Sequence, residues 1–267
     1  MLIWAVRKPS GVLEPSPDGL PERLGERFRT HRPIVAGGAV ALVGYLVLTA
    51  LLVGLGLILT KLLVSGPVGT WDNSVDRWFV AQRTTTLNTV TNVGSLMGAS
   101  FTVIGIVVVA SIVLAIRRSW LEIGFLTAGL VVEFAVFLTT AILVDRPRPN
   151  VVKLEVAPPT RSFPSGHTAA AIVLYVSLAL VITSRVRSAT LRALVWLLVI
   201  MIPIYVAISR IYRGMHHPTD VMGSVVLGVG SLIFAVMACR TAGAVMLQRA
   251  AKAERVASAS VDTKAAP

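Results

Sequence analysis

The pair His216 and Asp220 has the residue types and the spacing of a nucleophile and the group that orients it. Two residues four positions apart project from the same face of a helix, and Pro218 between them suits a first helical turn. In that arrangement the carboxylate can hold the Nδ1–H of the imidazole and leave a free lone pair on Nε2. The spacing therefore predicts a histidine that attacks an electrophilic centre such as phosphorus. The adjacent His217 is interpreted as a bystander at a membrane interface.

The segment 162–167, with the sequence SFPSGH, opens an apolar stretch and predicts an anion site. Backbone N–H groups in the first turn of a helix have no intrahelical acceptor, and the helix dipole favours a negative group there. Ser165 adds a hydroxyl donor, Gly166 allows a close backbone approach, and His167 is expected to face the same anion. The alternative interpretation is a simple capped helix start with a histidine at the interface.

Arginines occur at two further points where apolar stretches end: the segment 145–149, DRPRP, and the pair Ser209-Arg210. An arginine at the centre of a membrane helix costs about 2.5 to 3.5 kcal/mol on insertion scales, and proline ends helices. The double Arg-Pro motif therefore predicts the mouth of a membrane bundle. Arg146, Arg148 and Arg210 are candidate anion ligands, with binding of lipid headgroups as the alternative.

The elements that position these clusters are predicted to be membrane helices. The 267-residue chain is 55% hydrophobic and only 14% charged, whereas soluble domains carry about 25% charged residues. A helix needs about 20 apolar residues to cross a bilayer. Six stretches are expected to do so: 35–60, 89–116, 120–144, 167–184, 193–209 and 219–239. The expected fold class is all-α, an integral membrane six-helix bundle in which alternation of the spans brings all three polar clusters to one membrane face.

The predicted spans divide the chain into a polar N-terminal tail (1–33) that is expected to be mobile, a membrane domain (34–240) and a polar C-terminal tail (241–267) that is expected to be disordered. Lys and Arg accumulate in short cytoplasmic loops. Most of the 25 Lys and Arg residues fall on the side of the two termini. This distribution predicts cytoplasmic termini and a site at the outer face.

Other features narrow the function classes. The net charge of +12 comes largely from clusters that flank apolar spans, so nucleic-acid binding is not expected. A single cysteine, Cys239, excludes an internal disulfide. Segment 71–82 predicts an amphipathic helix, either lying in the outer interface or packed on the bundle. Glu133, in the middle of a span, is interpreted as a protonated or hydrogen-bonded side chain between helices.

On these motifs the chain resembles the type 2 phosphatidic acid phosphatase superfamily, which also includes vanadium haloperoxidases and bacterial glucose-6-phosphatase-like enzymes. The family pattern is Lys, six residues and Arg-Pro, then Pro-Ser-Gly-His, then Ser-Arg followed by His and Asp. The chain matches it at Arg148-Pro149, at residues 164–167, and at Ser209, Arg210, His216 and Asp220. It departs at Ala141, where the family has the lysine; Arg146 or Arg213 are candidate substitutes.

The resemblance implies a role for each matched residue. His216 attacks phosphorus and forms a phosphohistidine, Asp220 orients it, and His167 protonates the leaving oxygen and then activates water. Phosphoryl oxygens are bound by Arg148, Arg210 and the backbone around Ser165 and Gly166, with Arg146 as a further candidate. No metal and no cofactor are expected, because the nearby acids, Asp145, Glu155 and Asp220, lack paired-metal spacing.

The resemblance also implies a substrate class and a location. The expected activity is a lipid phosphatase that acts on a polyprenyl diphosphate such as undecaprenyl diphosphate, on phosphatidylglycerophosphate or on phosphatidic acid. The expected partners are this lipid phosphate and the membrane lipids, and the expected location is the plasma membrane. The alternatives are a non-catalytic lipid-phosphate binding or transport protein and a periplasmic sugar-phosphate phosphatase. The oligomeric state is not predicted.

Overall fold

The computed structural model describes residues 11–265, with side-chain positions through residue 256 and at 258. The first ten residues of the predicted N-terminal tail and the last two of the C-terminal tail lie outside the described residues. Within the described range the secondary structure is entirely helical, as expected. The α-helices are α1 (Leu20–Arg27), α2 (Pro33–Leu57), α3 (Pro67–Ala81), α4 (Thr85–Met97), α5 (Ser100–Ile116), α6 (Trp120–Leu143), α7 (Gly166–Thr183), α8 (Ala189–Tyr212) and α9 (Pro218–Ala265). A 3-10 turn (Gly11–Leu13) precedes α1, and α2 continues in π-helical form through Ile58–Leu63.

Five helices of the described chain are long and apolar enough to cross a membrane: α2 with its extension, α6, α7, α8 and α9. The pair α4 and α5 passes the same test only together, across a bend of 48°. The number of spans is therefore five, or six if the bent pair counts as one. A side chain at Gly98, in this break, would come within 2.7 Å of the His167 carbonyl oxygen, so the bend lies directly against the start of α7.

Helix α9 lies at the centre of the bundle and packs against α1, α2, α6 and α7. Small residues let membrane helices approach closely. A Cβ at Gly44 of α2 would come within 2.4 Å of the Phe234 ring, and one at Gly230 of α9 within 2.4 Å of Leu48. The close packing of α9 against α2 therefore fixes the position of the helix whose N-terminal end carries Asp220.

Both predicted tails differ from the expectation in their described parts. Leu13 is buried, Arg240 Nε donates to the Val12 carbonyl at 2.8 Å, and α1 packs on α9. Residues 11–27 are therefore docked on the bundle rather than free. At the other end α9 continues to Ala265 instead of ending at about residue 240, because the alanine-rich segment has a high intrinsic preference for helix.

The short helix α3 corresponds to the predicted amphipathic segment 71–82. Its Trp71 and Trp78 are exposed on the protein surface, which suits the headgroup region of a bilayer. Its Asp72 and Asp76 are buried at 1% and 2% exposure. The helix thus turns its acidic side chains inward, and they reach the polar clusters described next.

Candidate active site

His216 lies in the five-residue connection between α8 and α9, which makes a tight turn at Gly214 (φ 72°). Its Nδ1 is 2.7 Å from the Ser162 carbonyl oxygen and 3.8 Å from Asp220 Oδ2. The expected direct bond between Asp220 and the imidazole is therefore replaced by a bond to the main chain. The reason is that His216 precedes α9, so the one-face geometry of a helix does not apply to it. Because a carbonyl can only accept, Nδ1 carries the proton and Nε2 keeps its lone pair.

Asp220 is fully buried and is held by three donors. It accepts from Arg146 Nη1 at 2.6 Å, from Ser162 Oγ at 2.5 Å and from the backbone N–H of His217 at 2.8 Å. Ser162 therefore connects the two residues: its hydroxyl donates to Asp220 while its carbonyl accepts from His216. The aspartate orients the imidazole through this serine.

Arg146 departs from the expectation that it binds phosphate. Its Nη1 bonds to Asp220 and its Nη2 to Asp72 Oδ2, both at 2.6 Å, and its side chain is only 4% exposed. Asp72 also accepts from the hydroxyl of Thr219 at 2.6 Å. With both terminal nitrogens committed to carboxylates, Arg146 braces Asp220. Sequence reasoning missed Asp72, whose partner lies 74 residues away.

Arg148 lies beside the candidate nucleophile. Its Nη1 donates to the Met215 carbonyl at 2.7 Å and is 3.4 Å from His216 Nε2. Its Nη2 contacts Thr160, whereas its buried Nε has no partner among the described residues. A phosphorus atom in line with Nε2 would therefore have a guanidinium next to its oxygens. This position agrees with the role expected for Arg148.

Arg210 is 1% exposed near the end of α8, and its Nη1 donates to Ser95 Oγ and to Glu155 Oε2, both at 2.6 Å. Glu155 Oε1 in turn accepts from Arg213 Nε. Partial burial alone would raise the pKa of Glu155. The charge of Arg210 and the hydrogen bonds from Ser95, Arg210 and Arg213 outweigh burial and lower this pKa to about 2. Glu155, which sequence reasoning weighed only as a metal ligand, is thus an ionised carboxylate on one of the expected phosphate ligands.

The start of α7 lies as expected, with Ser165 at the N-cap and Gly166 as the first helical residue. The Ser165 hydroxyl bonds to Thr168 Oγ1 at 3.1 Å, and its backbone N–H donates to the Asp220 carbonyl at 3.4 Å. Anion binding is therefore left to the N–H groups of the following residues. His167 interacts electrostatically with Arg210, His216 and Arg148, so the two histidines share one site.

His217 is not the interfacial bystander that its sequence position suggests. It is 8% exposed, and its Nδ1 is 2.6 Å from Asp76 Oδ2 of α3. Burial lowers the pKa of His217, but the bond to Asp76 and the nearby Asp220 outweigh it and raise the pKa above the ordinary value. For His216, burial dominates and lowers the pKa to about 4. The two neighbours therefore differ: burial favours the neutral form of His216, whereas the surroundings of His217 favour its charged form.

The position of the missing family lysine is filled by Ala141, which is buried on α6. Of the two candidate substitutes, Arg146 is held by Asp72 and Asp220, and Arg213 by Glu155. Neither arginine is an open replacement for the lysine. Across residues 11–265, no group of three or more His, Cys, Asp or Glu side chains is arranged to hold a metal ion.

Comparisons with known proteins identify a matching family and a relative. Residues 121–243 match the family model of the PAP2 superfamily. Phosphatidylglycerophosphatase B of Bacillus subtilis (strain 168) is 29% identical over 182 residues, which cover 65% of this chain and 85% of that protein.

One solved structure shares the fold. The crystal structure of a transmembrane PAP2 type phosphatidylglycerolphosphate phosphatase from Bacillus subtilis superposes with a TM-score of 0.59 at 24% identity, over 77% of this chain and 94% of that one. Aquifex aeolicus LpxE aligns less closely, with a TM-score of 0.48 at 23% identity over 60% and 92% of the two chains. The chain is a multi-pass membrane protein, and its segment 121–243, which carries all three polar clusters, matches the PAP2 superfamily model.

Proposed function

We propose that this protein is a membrane phosphatase that hydrolyses a phosphate monoester or diphosphate of a lipid through a phosphohistidine on His216. The observation that carries the proposal is the orientation of the His216 ring and the free lone pair on its Nε2. Its Nδ1 is fixed by the Ser162 carbonyl, and its Nε2 faces Arg148 at 3.4 Å. A neutral imidazole with a directed lone pair beside a guanidinium is what nucleophilic attack on a phosphoryl group requires.

In the first step Nε2 of His216 forms a bond to phosphorus as the bond from phosphorus to the leaving oxygen breaks. His167 donates a proton to that oxygen. In the second step His167 takes a proton from water, the water oxygen attacks phosphorus, and the N–P bond breaks to release inorganic phosphate. Asp220, acting through Ser162, stabilises the positive charge that develops on the imidazole.

The phosphoryl oxygens are bound by Arg148, Arg210 and the first backbone N–H groups of α7. The unpartnered Nε atoms of the two arginines, both buried, are donors available to such an anion. Fixed donors that meet the developing charge supply most of the acceleration in phosphoryl transfer. The mechanism assigned to these side chains needs no metal ion.

A lipid substrate suits the surroundings of the site. The name of the Bacillus subtilis relative makes phosphatidylglycerophosphate the first candidate, with polyprenyl diphosphates and phosphatidic acid as the others. We place the site at the outer membrane face and both termini in the cytoplasm, with α4 and α5 as a bent second span of six. The exposed tryptophans of α3 then lie at headgroup depth on the side of the site.

The test is phosphate release from purified protein with a panel of lipid phosphates in detergent, with and without a chelator. We expect turnover of at least one lipid phosphate, retention of activity in chelator, and Michaelis constants that fall as the acyl chains lengthen. Equal Michaelis constants for short and long chains would favour a soluble sugar phosphate as substrate. No release from any substrate would favour the non-catalytic binding protein, for which the loss of a lysine at Ala141 is the motivating observation.

A further inference from the structure

Glu155 belongs to the connection between α6 and α7. Hydrogen bonds hold the main chain that precedes it next to the site. The backbone N–H of Leu154 donates to the Arg213 carbonyl at 3.1 Å, and Arg213 Nη2 donates back to the Leu154 carbonyl at 3.0 Å. Arg83 Nη1 holds the Val152 carbonyl at 2.8 Å. Two of these bonds, from the Leu154 N–H to the Arg213 carbonyl and from Arg83 to the Val152 carbonyl, do not involve the Glu155 side chain, whereas the Arg213 guanidinium is itself paired with the Glu155 carboxylate.

The carboxylate of Glu155 takes the place of an anion on Arg210. Within the described residues it is the one carboxylate in salt-bridge range of Arg210, whose other side-chain partner is the neutral Ser95. Its charge also acts on Arg148 and His167, two further residues of the proposed phosphate site. The side chain keeps 23% of its surface exposed, so it has a route out to water.

A phosphate group is a stronger partner for a guanidinium than this carboxylate. It offers three acceptor oxygens and a charge of about −1.5 to −2 at neutral pH. It can also engage Arg148 and the α7 N-terminus at the same time, which a carboxylate tied to residue 155 does not. Rotation of the Glu155 side chain exchanges the two anions on Arg210 and also releases the Nε of Arg213.

We infer that Glu155 is a positioning residue that acts as an internal competitor: it holds Arg210 in the free enzyme and is displaced when a phosphoryl group binds. The inference rests on the proposed function, since it assigns Arg210 to the phosphoryl group. For any anion that needs Arg210, the apparent dissociation constant rises in inverse proportion to the fraction of protein in which Arg210 is free of Glu155. Substrate and product phosphate are weakened alike, which limits inhibition by the inorganic phosphate that the reaction releases.

The sign of one substitution separates this role from simple bracing. If Glu155 competes with phosphate, Glu155→Gln strengthens phosphate binding. If Glu155 only keeps Arg210 in position, the same substitution lets Arg210 move and weakens binding. The matched control is Asp145→Asn, which removes the same charge from the same connection, where Asp145 pairs with the exposed Arg161.

The experiment measures inorganic phosphate as inhibitor and as ligand of purified wild-type, E155Q and D145N proteins in detergent. We expect the inhibition constant of phosphate to fall about tenfold in E155Q, equivalent to about 1.4 kcal/mol. The Michaelis constant should fall by the same factor while kcat does not rise, because the change in binding is uniform. D145N should match the wild type. An inhibition constant that rises or stays unchanged in E155Q, or that falls equally in D145N, overturns the inference.

A second readout does not depend on turnover. Phosphate should raise the melting temperature of E155Q more than that of the wild type or D145N, whether or not any lipid is hydrolysed. If the wild type hydrolyses no substrate but E155Q shows the larger shift, the proposed function fails and the competitor role stands. If the wild type is active and the three shifts are equal, the competitor role fails alone. Glu155→Asp, which keeps the charge, should restore behaviour close to the wild type.

Discussion

Arg146 and Arg210 are both buried arginines of the same site, and both are paired with carboxylates, but the partners differ. Arg146 is held by Asp72 and Asp220, which are helical and whose side chains are at most 2% exposed. Arg210 is held by Glu155, which is in a connection and 23% exposed. Breaking a fully buried pair leaves a charge without compensation, whereas water can replace a partner in a pair that it reaches. Both arginines are buried, so the exposure of the carboxylate decides whether the ion pair is fixed or exchangeable.

The largest effect is expected at His216, the proposed nucleophile of the site that contains both arginines. His216→Ala should abolish turnover and the acid-labile phosphoenzyme, because no other side chain among the described residues presents a lone pair in the same position. Phosphate release and trapping of the labelled intermediate measure this. Retained phosphate release by a purified, folded variant would show that His216 is not the nucleophile and would remove the reason for comparing the two arginines.

Asp72→Ala tests the buried ion pair between Asp72 and Arg146. It leaves the Arg146 charge half-compensated in a buried site, so the free energy of unfolding should fall by about 3–5 kcal/mol, and kcat should fall as Asp220 shifts. The matched control is Asp76→Ala on the same helix, whose partner His217 can lose its proton instead of remaining charged. Unfolding in detergent measures both variants. Equal losses would indicate that α3 docking as a whole, rather than the Arg146 pair, is what matters.

The two adjacent histidines, His216 and His217, are expected to differ in pKa because their surroundings differ. Burial lowers the pKa of His216 to about 4, whereas Asp76 raises that of His217 above its ordinary value near 6.5. A group with a lowered pKa stays neutral as the pH falls to that value, so between about pH 5 and 6 only His217 should be charged. Nuclear magnetic resonance of histidine-labelled protein, assigned with His216→Ala, can follow both rings. Titration of both near 6.5 would contradict the structure.

The smallest effect is expected for an exposed pair. Asp145 and Arg161 are 66% and 57% exposed and 2.6 Å apart. Asp145→Asn should change the free energy of unfolding by no more than about 1 kcal/mol, since water screens such pairs. A loss as large as that of Asp72→Ala would show that burial is not the deciding variable.

Much of the site could be predicted from local patterns. Long apolar stretches predict an all-helical membrane protein, and the motifs around Arg148, His167, Arg210 and His216 predict a shared site. These signals are local because helix length, capping and the polar ends of spans depend on neighbouring residues. The bond from Ser162 to His216 was not predicted, because the fixed spacing of His216 and Asp220 suggested a direct contact that the chain direction before Pro218 prevents.

The missed residues were those with distant partners. Asp72 lies 74 positions from Arg146, Asp76 lies 141 from His217, and Glu155 lies 55 from Arg210. No periodicity connects such residues, and an acidic side chain on an amphipathic helix is usually solvated. A weak signal existed at α3: two acidic residues lie four apart in the predicted amphipathic helix.

The acceptor that orients His216 is a peptide oxygen, and this has a consequence for how the site can change. Every amino acid at position 162 supplies the same oxygen, so replacement of Ser162 removes the hydroxyl on Asp220 but leaves the tautomer of His216 intact. An alanine scan would therefore assign the serine to the aspartate alone and overlook its main role. Only movement of the chain itself can release the imidazole, which protects the reactive nitrogen from most single substitutions.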